Sequence, residues 1–290
     1  MAGREERGEG SGVVTAGQVM GLLHELAPPS LAEGWDRIGL QVGDPGWPVQ
    51  RVLVSLGPSA AVVREAVERG CQMIVCHHPL IFRPLSAVRL DEPAGAVIGQ
   101  ALEARIALGV VHTNLDRAPG GLNDWLAEVL GLGDPVPLAE AAGLPQPWEG
   151  VAAMGRVGML EQPLPLEAWA REVARRLGVP AVRYVGGPDV PVQRVACVGG
   201  SGADAIGPAA RARVDCLVTG DVKFHDALEA LDRGVAVVDG GHFGTEVLMR
   251  ERLARWLEEA AQRRGWRLSA CAAAREADPF AFAGAEGALA

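Results

Sequence analysis

The chain alternates short apolar runs with segments whose apolar residues recur at helical spacing. The runs Arg51–Leu56, Ile106–Val111, Arg194–Val198, Val214–Val218 and Val235–Val238 read as buried strands, as does Met73-Ile74-Val75-Cys76. Thr15 is the expected N-cap of a helix through about Leu26, with Val19, Leu22 and Leu23 inward, and Pro28-Pro29 ends it. Ser59 opens a helix with Val62, Val63, Ala66 and Val67 on its inner face, and Gly70 closes it. Further helices are predicted at Pro93–Glu103, Leu122–Leu130, Leu166–Leu177 and Thr245–Arg263, and further strands at Val151–Leu160, Ala181–Val185 and Arg267–Ala272. Trp35 is expected to bury.

The order β-α-β-α-β predicts an α/β fold with a mostly parallel sheet and helices on both faces. It occurs twice. The spacing from Arg51 to His77-His78 equals that from Arg194 to Gly220-Asp221, which reads as an internal duplication and predicts two similar α/β lobes. The expected organisation is a tail (1–13), an N-terminal lobe (14–130), a connecting segment with strands and one helix (131–193), a C-terminal lobe completing the site (194–280) and a second tail (281–290).

Candidate chemistry sits where these strands end. Five of the six histidines, His77, His78, His112, His225 and His242, follow strand-like runs or open the helix after one; only His24 lies elsewhere. In open α/β sheets, ligands gather at the carboxyl ends of strands. Neighbouring side chains on a strand face opposite ways. His77 and His78 therefore serve one metal only if the backbone turns there, or two metals otherwise; a two-metal site is the preferred reading. His242 and Glu246 are spaced to meet on one helical turn, and Asp116 ends the HTNLD motif. Imidazoles with carboxylates suit Zn, Mn, Fe or Co better than Ca or Mg. A bridging carboxylate could hold two ions roughly 3.5–4 Å apart. Asp36 is either a turn residue or a support for this site. The loop Gly199-Gly200-Ser201-Gly202 is either a tight turn or a phosphate cradle, without the Lys of a P-loop.

Composition narrows the class. With 49% hydrophobic and 22% charged residues among 290, the chain is an ordinary globular protein. A net charge of −9 argues against nucleic acid or an anionic membrane as partner. No run approaches the ~18 apolar residues of a membrane span, and the polar N-terminus has no signal-peptide core, so a cytoplasmic location is expected. Five cysteines without CxxC spacing read as reduced thiols.

The motifs HHPLIF, HTNLD, TGDVKFHDA and GHFGTE, with WDRIGLQVG, GRVGML and ADPF, resemble the NIF-three-like family of dinuclear metal proteins, whose bacterial members are often labelled GTP cyclohydrolase I type 2 homologues. The resemblance spans roughly residues 15–280. It implies that His78 and Asp116 bind one divalent ion and His77 and His242 the other, with Glu246 bridging, in a cleft between the lobes. It also implies a homohexamer, a trimer of dimers. The sequence departs from the family pattern at Arg37, Asp221 and His225-Asp226, so Asp221 and His225 are read as supporting groups. The implied function is a metal-dependent hydrolase of a small-molecule nucleotide substrate such as GTP, with His112 and His225 as proton carriers or ligand-orienting groups. The alternative is a non-catalytic metal-binding scaffold or a regulatory, partner-binding protein.

Overall fold

Ser59 accepts a hydrogen bond from the Val62 amide and starts the helix Ala60–Glu68, which buries Val62, Val63 and Ala66. Gly70 ends it at φ +64°. Val67, expected inward, is exposed, because it falls beyond the stripe that faces the sheet. A computed structural model describes residues 13–283. The tails 1–12 and 284–290 lie outside the described residues, while Val13 and residues 281–283 are exposed and outside regular structure.

The chain forms two units. The first comprises, among the described residues, 13–25, 37–112 and 250–276. Its sheet contains β1 (Gly39–Val42), β2 (Arg51–Ser55), β3 (Met73–Cys76), β4 (Ala107–Val110) and β11 (Ser269–Ala272), in the order β1-β4-β3-β2-β11. All pairs are parallel except β1 with β4. Leu53, Ile74, Ile106 and Leu108 form the core with Val62, Val63, Val97 and Ile98 of the covering helices. Each such side chain stabilises by about 1.5–3 kcal/mol on burial.

The second unit comprises, among the described residues, 26–36, 113–249 and 277–283. It holds β5 (Gly133–Pro137), β6 (Arg156–Pro165), β7 (Arg183–Val185), β8 (Pro191–Ser201), β9 (Cys216–Gly220) and β10 (Ala236–Asp239), in the order β5-β6-β8-β9-β10-β7. Only β8-β9 and β9-β10 pair parallel, so this sheet is mixed, not mostly parallel. The stretch 131–193, read as a connection, supplies the antiparallel strands at both sides. Within 151–160, residues up to Met154 are helical and the strand begins at Arg156. Alternate residues of the parallel strands enter different cores. Cys197, Val218 and Val238 meet Trp169 and Val173, while Val198, Leu217 and Val237 meet Ile206, Ala209 and Ala230.

Each unit contains three consecutive strands that pair parallel: β2-β3-β4 and β8-β9-β10. In both, the middle and last strands end at the candidate residues. The unit boundaries differ from the expected lobes, because residues 113–129 pack with the second sheet and 250–276 return to the first. Trp35 is exposed, set in a turn outside both sheets. No helix among the described residues is long and apolar enough to cross a membrane.

Candidate metal centre

In the first unit the backbone bends as it leaves β3 at His77 and His78, so the alternation of a strand no longer separates their rings. The two ring centroids are 5.1 Å apart, and His112, just beyond β4, lies 5.0 Å from His77 and 5.8 Å from His78. One nitrogen from each of the three rings falls within 4.8 Å of the others. His77 is fully buried, and its Nδ1 lies 3.0 Å from the Val111 carbonyl. A carbonyl only accepts, so Nδ1 carries the proton and the lone pair is on Nε2. His112, expected as a proton carrier, stands in the same triad as the two expected ligands. The backbone holds the pair: the His77 amide donates to Ser55 O at 3.1 Å and that of His78 to Leu56 O at 2.7 Å.

In the second unit Asp116 lies within the buried helical turn Thr113–Arg117, not at a strand end. Asp36 starts that turn, since its carboxylate accepts from the Thr113 amide at 3.0 Å and from the Thr113 hydroxyl. Asp36 thus supports the site, while its amide also closes a turn onto Glu33 O. Asn123 links the turn to β8, donating to Asp116 O at 3.1 Å and accepting from the Gly199 amide at 2.8 Å.

His242 and Glu246 open and close the short helix His242–Glu246, and Nε2 lies 3.1 Å from a Glu246 oxygen. The expected single helix is broken after Glu246 and resumes at Met249. Asp239 shapes the preceding loop by accepting from the Gly241 amide and binding Arg183. Asp221 Oδ2 lies 2.7 Å from His242 Nδ1.

The glycine loop is neither a plain turn nor a phosphate cradle. β8 runs through it to Ser201, and its amides are engaged: Gly199 with Asn123, Gly200 with the Thr245 hydroxyl at 3.0 Å. A Cβ on Gly200 would lie 2.2 Å from a Glu246 oxygen and one on Gly220 2.6 Å from the His242 amide, so absent side chains make room for this pair. Asp221, Thr245, Asn123 and these glycines have no ligand-like spacing of their own; only the TGD and GHFGTE motifs pointed near them.

Burial pushes the Asp116 carboxyl well above the ordinary carboxylate range, and the charges of Glu246 and Asp36 push the same way against the opposing effect of His242. The hydrogen bond that His242 donates to Glu246 keeps its imidazolium protonated up to about 9, against burial and with help from Asp221. A bound cation would offset this concentration of negative charge, and the imidazole and carboxylate donors present are of the kind that could hold a divalent transition-series ion. His225 is exposed on the first turn of the helix Phe224–Arg233, its ring 5.4 Å from that of Phe224, and no described contact joins it to His242 or Glu246.

The profile of the family described as Duf34/NIF3 (NGG1p interacting factor 3) matches residues 14–279. A Streptomyces coelicolor protein named GTP cyclohydrolase 1 type 2 homolog is 36% identical over 266 residues, spanning 91% of this chain and 92% of its own. One of the same name from Clostridium acetobutylicum is 32% identical over 261 residues, spanning 90% and 96%. The crystal structure of a Bacillus cereus protein related to NIF3 superposes with a TM-score of 0.86 at 28% identity, over 94% of this chain and 100% of that one. With two sheets of the same architecture and motif-bearing residues at the strand ends, the chain belongs to the DUF34/NIF3 family.

Proposed function

We propose that this protein binds two divalent metal ions, Zn, Mn, Fe or Co, and uses them to hydrolyse a nucleotide such as GTP. In this reading His78 and Asp116 hold one ion, His77 and His242 the other, and Glu246 both. The observation that carries it is the burial of Asp116 beside the charge of Glu246, with His242 at 3.1 Å from Glu246. A bound cation would stabilise the ionised form of a carboxyl buried beside the charge of another. When bound, such a pair of ions supplies Lewis acidity and an activated water. His112, against His77 and His78, is placed to take or give a proton beside the ligands. His225, exposed, would exchange protons with solvent. The names of the relatives support a nucleotide substrate. A cytoplasmic homohexamer, a trimer of dimers, belongs to the same reading.

The alternative is a metal-binding scaffold or regulatory protein, favoured by the family's description as an interacting factor. Elemental analysis combined with turnover of GTP and a nucleotide panel tests both. Two ions per chain in wild type, with turnover lost in Glu246→Ala at unchanged assembly, supports the hydrolase. Metal content without turnover favours the scaffold, and unchanged metal in both His77→Ala and Glu246→Ala ends the dinuclear reading.

A further inference from the structure

We propose that Asp221 is a positioning residue that presents His242 Nε2 to a cation, a role resting on the metal-centre reading above. Its carboxylate lies 2.7 Å from His242 Nδ1. An ionised carboxylate only accepts, so Nδ1 donates to Asp221; without metal Nε2 likewise donates to Glu246, and a cation that takes the place of the Nε2 proton leaves the ring neutral with its remaining proton held on Asp221. The first unit fixes His77 in the same way, with the Val111 carbonyl as the acceptor. Each unit therefore orients one buried or half-buried imidazole through Nδ1.

The backbone at Asp221 is built for this contact. Four described residues other than glycine have φ in the left-handed region: Arg105, Asp134, Arg213 and Asp221. Arg105 and Arg213 lie just beyond helix ends, where such a reversal is ordinary. Asp221 instead follows β9 directly, at φ +56°. Its predecessor Gly220 passes so close to the His242 loop that a Cβ would lie 2.6 Å from the His242 amide and 2.8 Å from Gly200 O. The left-handed turn immediately after this close approach carries the Asp221 carboxylate to the imidazole. Strain of this kind persists where the surroundings enforce it, and it gathers at functional sites.

The discriminating variants are Asp221→Gly and Asp221→Asn. Glycine occupies the left-handed region without steric cost but offers no acceptor. Asparagine tolerates the same backbone and keeps a neutral acceptor. Calorimetric titration of the metal-free full chain with Zn(II) is expected to show affinity falling about 10- to 100-fold in Asp221→Gly. Asp221→Asn should fall between that and wild type. The metal-free Asp221→Gly protein should still melt cooperatively and within a few degrees of wild type, since it loses one half-exposed ion pair. Wild-type affinity in Asp221→Gly overturns the proposal. So does a loss of affinity in a protein whose metal-free form no longer melts cooperatively, which assigns Asp221 a purely structural role. Asp221→Asn binding as weakly as Asp221→Gly overturns hydrogen-bonded orientation as the cause. His242→Ala separates this outcome from failure of the centre itself: metal content unchanged there removes the metal reading, whereas its loss there leaves the Asp221 result to be judged alone.

Discussion

His242 Nε2 and a Glu246 carboxylate oxygen lie 3.1 Å apart across one turn of a five-residue helix. This pairing depends on the chain's starting the helix at His242 and breaking it just after Glu246, so both side chains belong to the same isolated turn. Glu246 is almost fully buried and the His242 side chain is 36% exposed, so one partner is shielded and the other reachable from solvent.

Metal should stabilise the wild-type fold, and Glu246→Gln should abolish that effect. A ligand that binds only the folded state at a hundredfold excess over Kd adds about 2.7 kcal/mol. Thermal melts with and without Zn(II) or Mn(II) measure it. A Glu246→Gln protein that gains as much from metal as wild type contradicts the assignment of Glu246.

Gly200→Ala should cost about 1–3 kcal/mol and also weaken metal binding, since the position combines φ +66° with a Cβ 2.2 Å from Glu246. Gly234 is the internal control. It has φ +70° with nothing within 4 Å of an added Cβ, so Gly234→Ala should cost about 1–2 kcal/mol from backbone strain alone and leave metal binding intact. Urea denaturation together with metal titration separates the two positions. Equal metal affinity in both variants would remove the special role of Gly200.

Asp36→Ala should destabilise by about 1.5–3 kcal/mol, the range for hydrogen bonds to a charged group. It strips the acceptor from the Thr113 amide and hydroxyl and so loosens the turn that carries Asp116. Asp36→Asn keeps an acceptor and should recover much of the loss. Chemical denaturation with matched m-values decides this, and indistinguishable stability in Asp36→Ala would show that the turn stands without its cap.

Stability should fall as pH rises above about 9. Burial pushes the thiols of Cys76, Cys197 and Cys216 from the ordinary thiol range up to about 12. In this window the unfolded chain has released protons that the folded chain retains, so unfolding is drawn on by rising pH. The slope is up to about 1.4 kcal/mol per pH unit for each thiol, and the contribution is fully present below the unfolded value. Denaturation at stepped pH measures the slope, and replacing one of the three with Ala should reduce it. Stability rising between pH 9 and 11 would run against this sign.

Much of the candidate site was legible because strand ends are legible. Apolar runs ending in His77-His78, His112 and the GHFGTE motif announce themselves by a change of period followed by polar residues. The i, i+4 spacing of His242 and Glu246 carried its own geometry. The helix break after Glu246 was hidden, since Val247-Leu248-Met249 continues an apolar pattern that suits an unbroken helix. Trp35 was misplaced because its apolar character speaks for burial while its exposure depends on a turn that no local pattern specifies.

The amino-acid order alone determined the βαβ repeats, the apolar faces and the placing of imidazoles at strand ends, because periodicity and punctuation act over a few neighbouring residues. Only the tertiary structure decided that Asp36 caps the turn of Asp116, that Gly200 yields its space to Glu246, and that Asp221 reaches His242. Those relationships join residues tens of positions apart, and they exist only once packed strands bring their ends together.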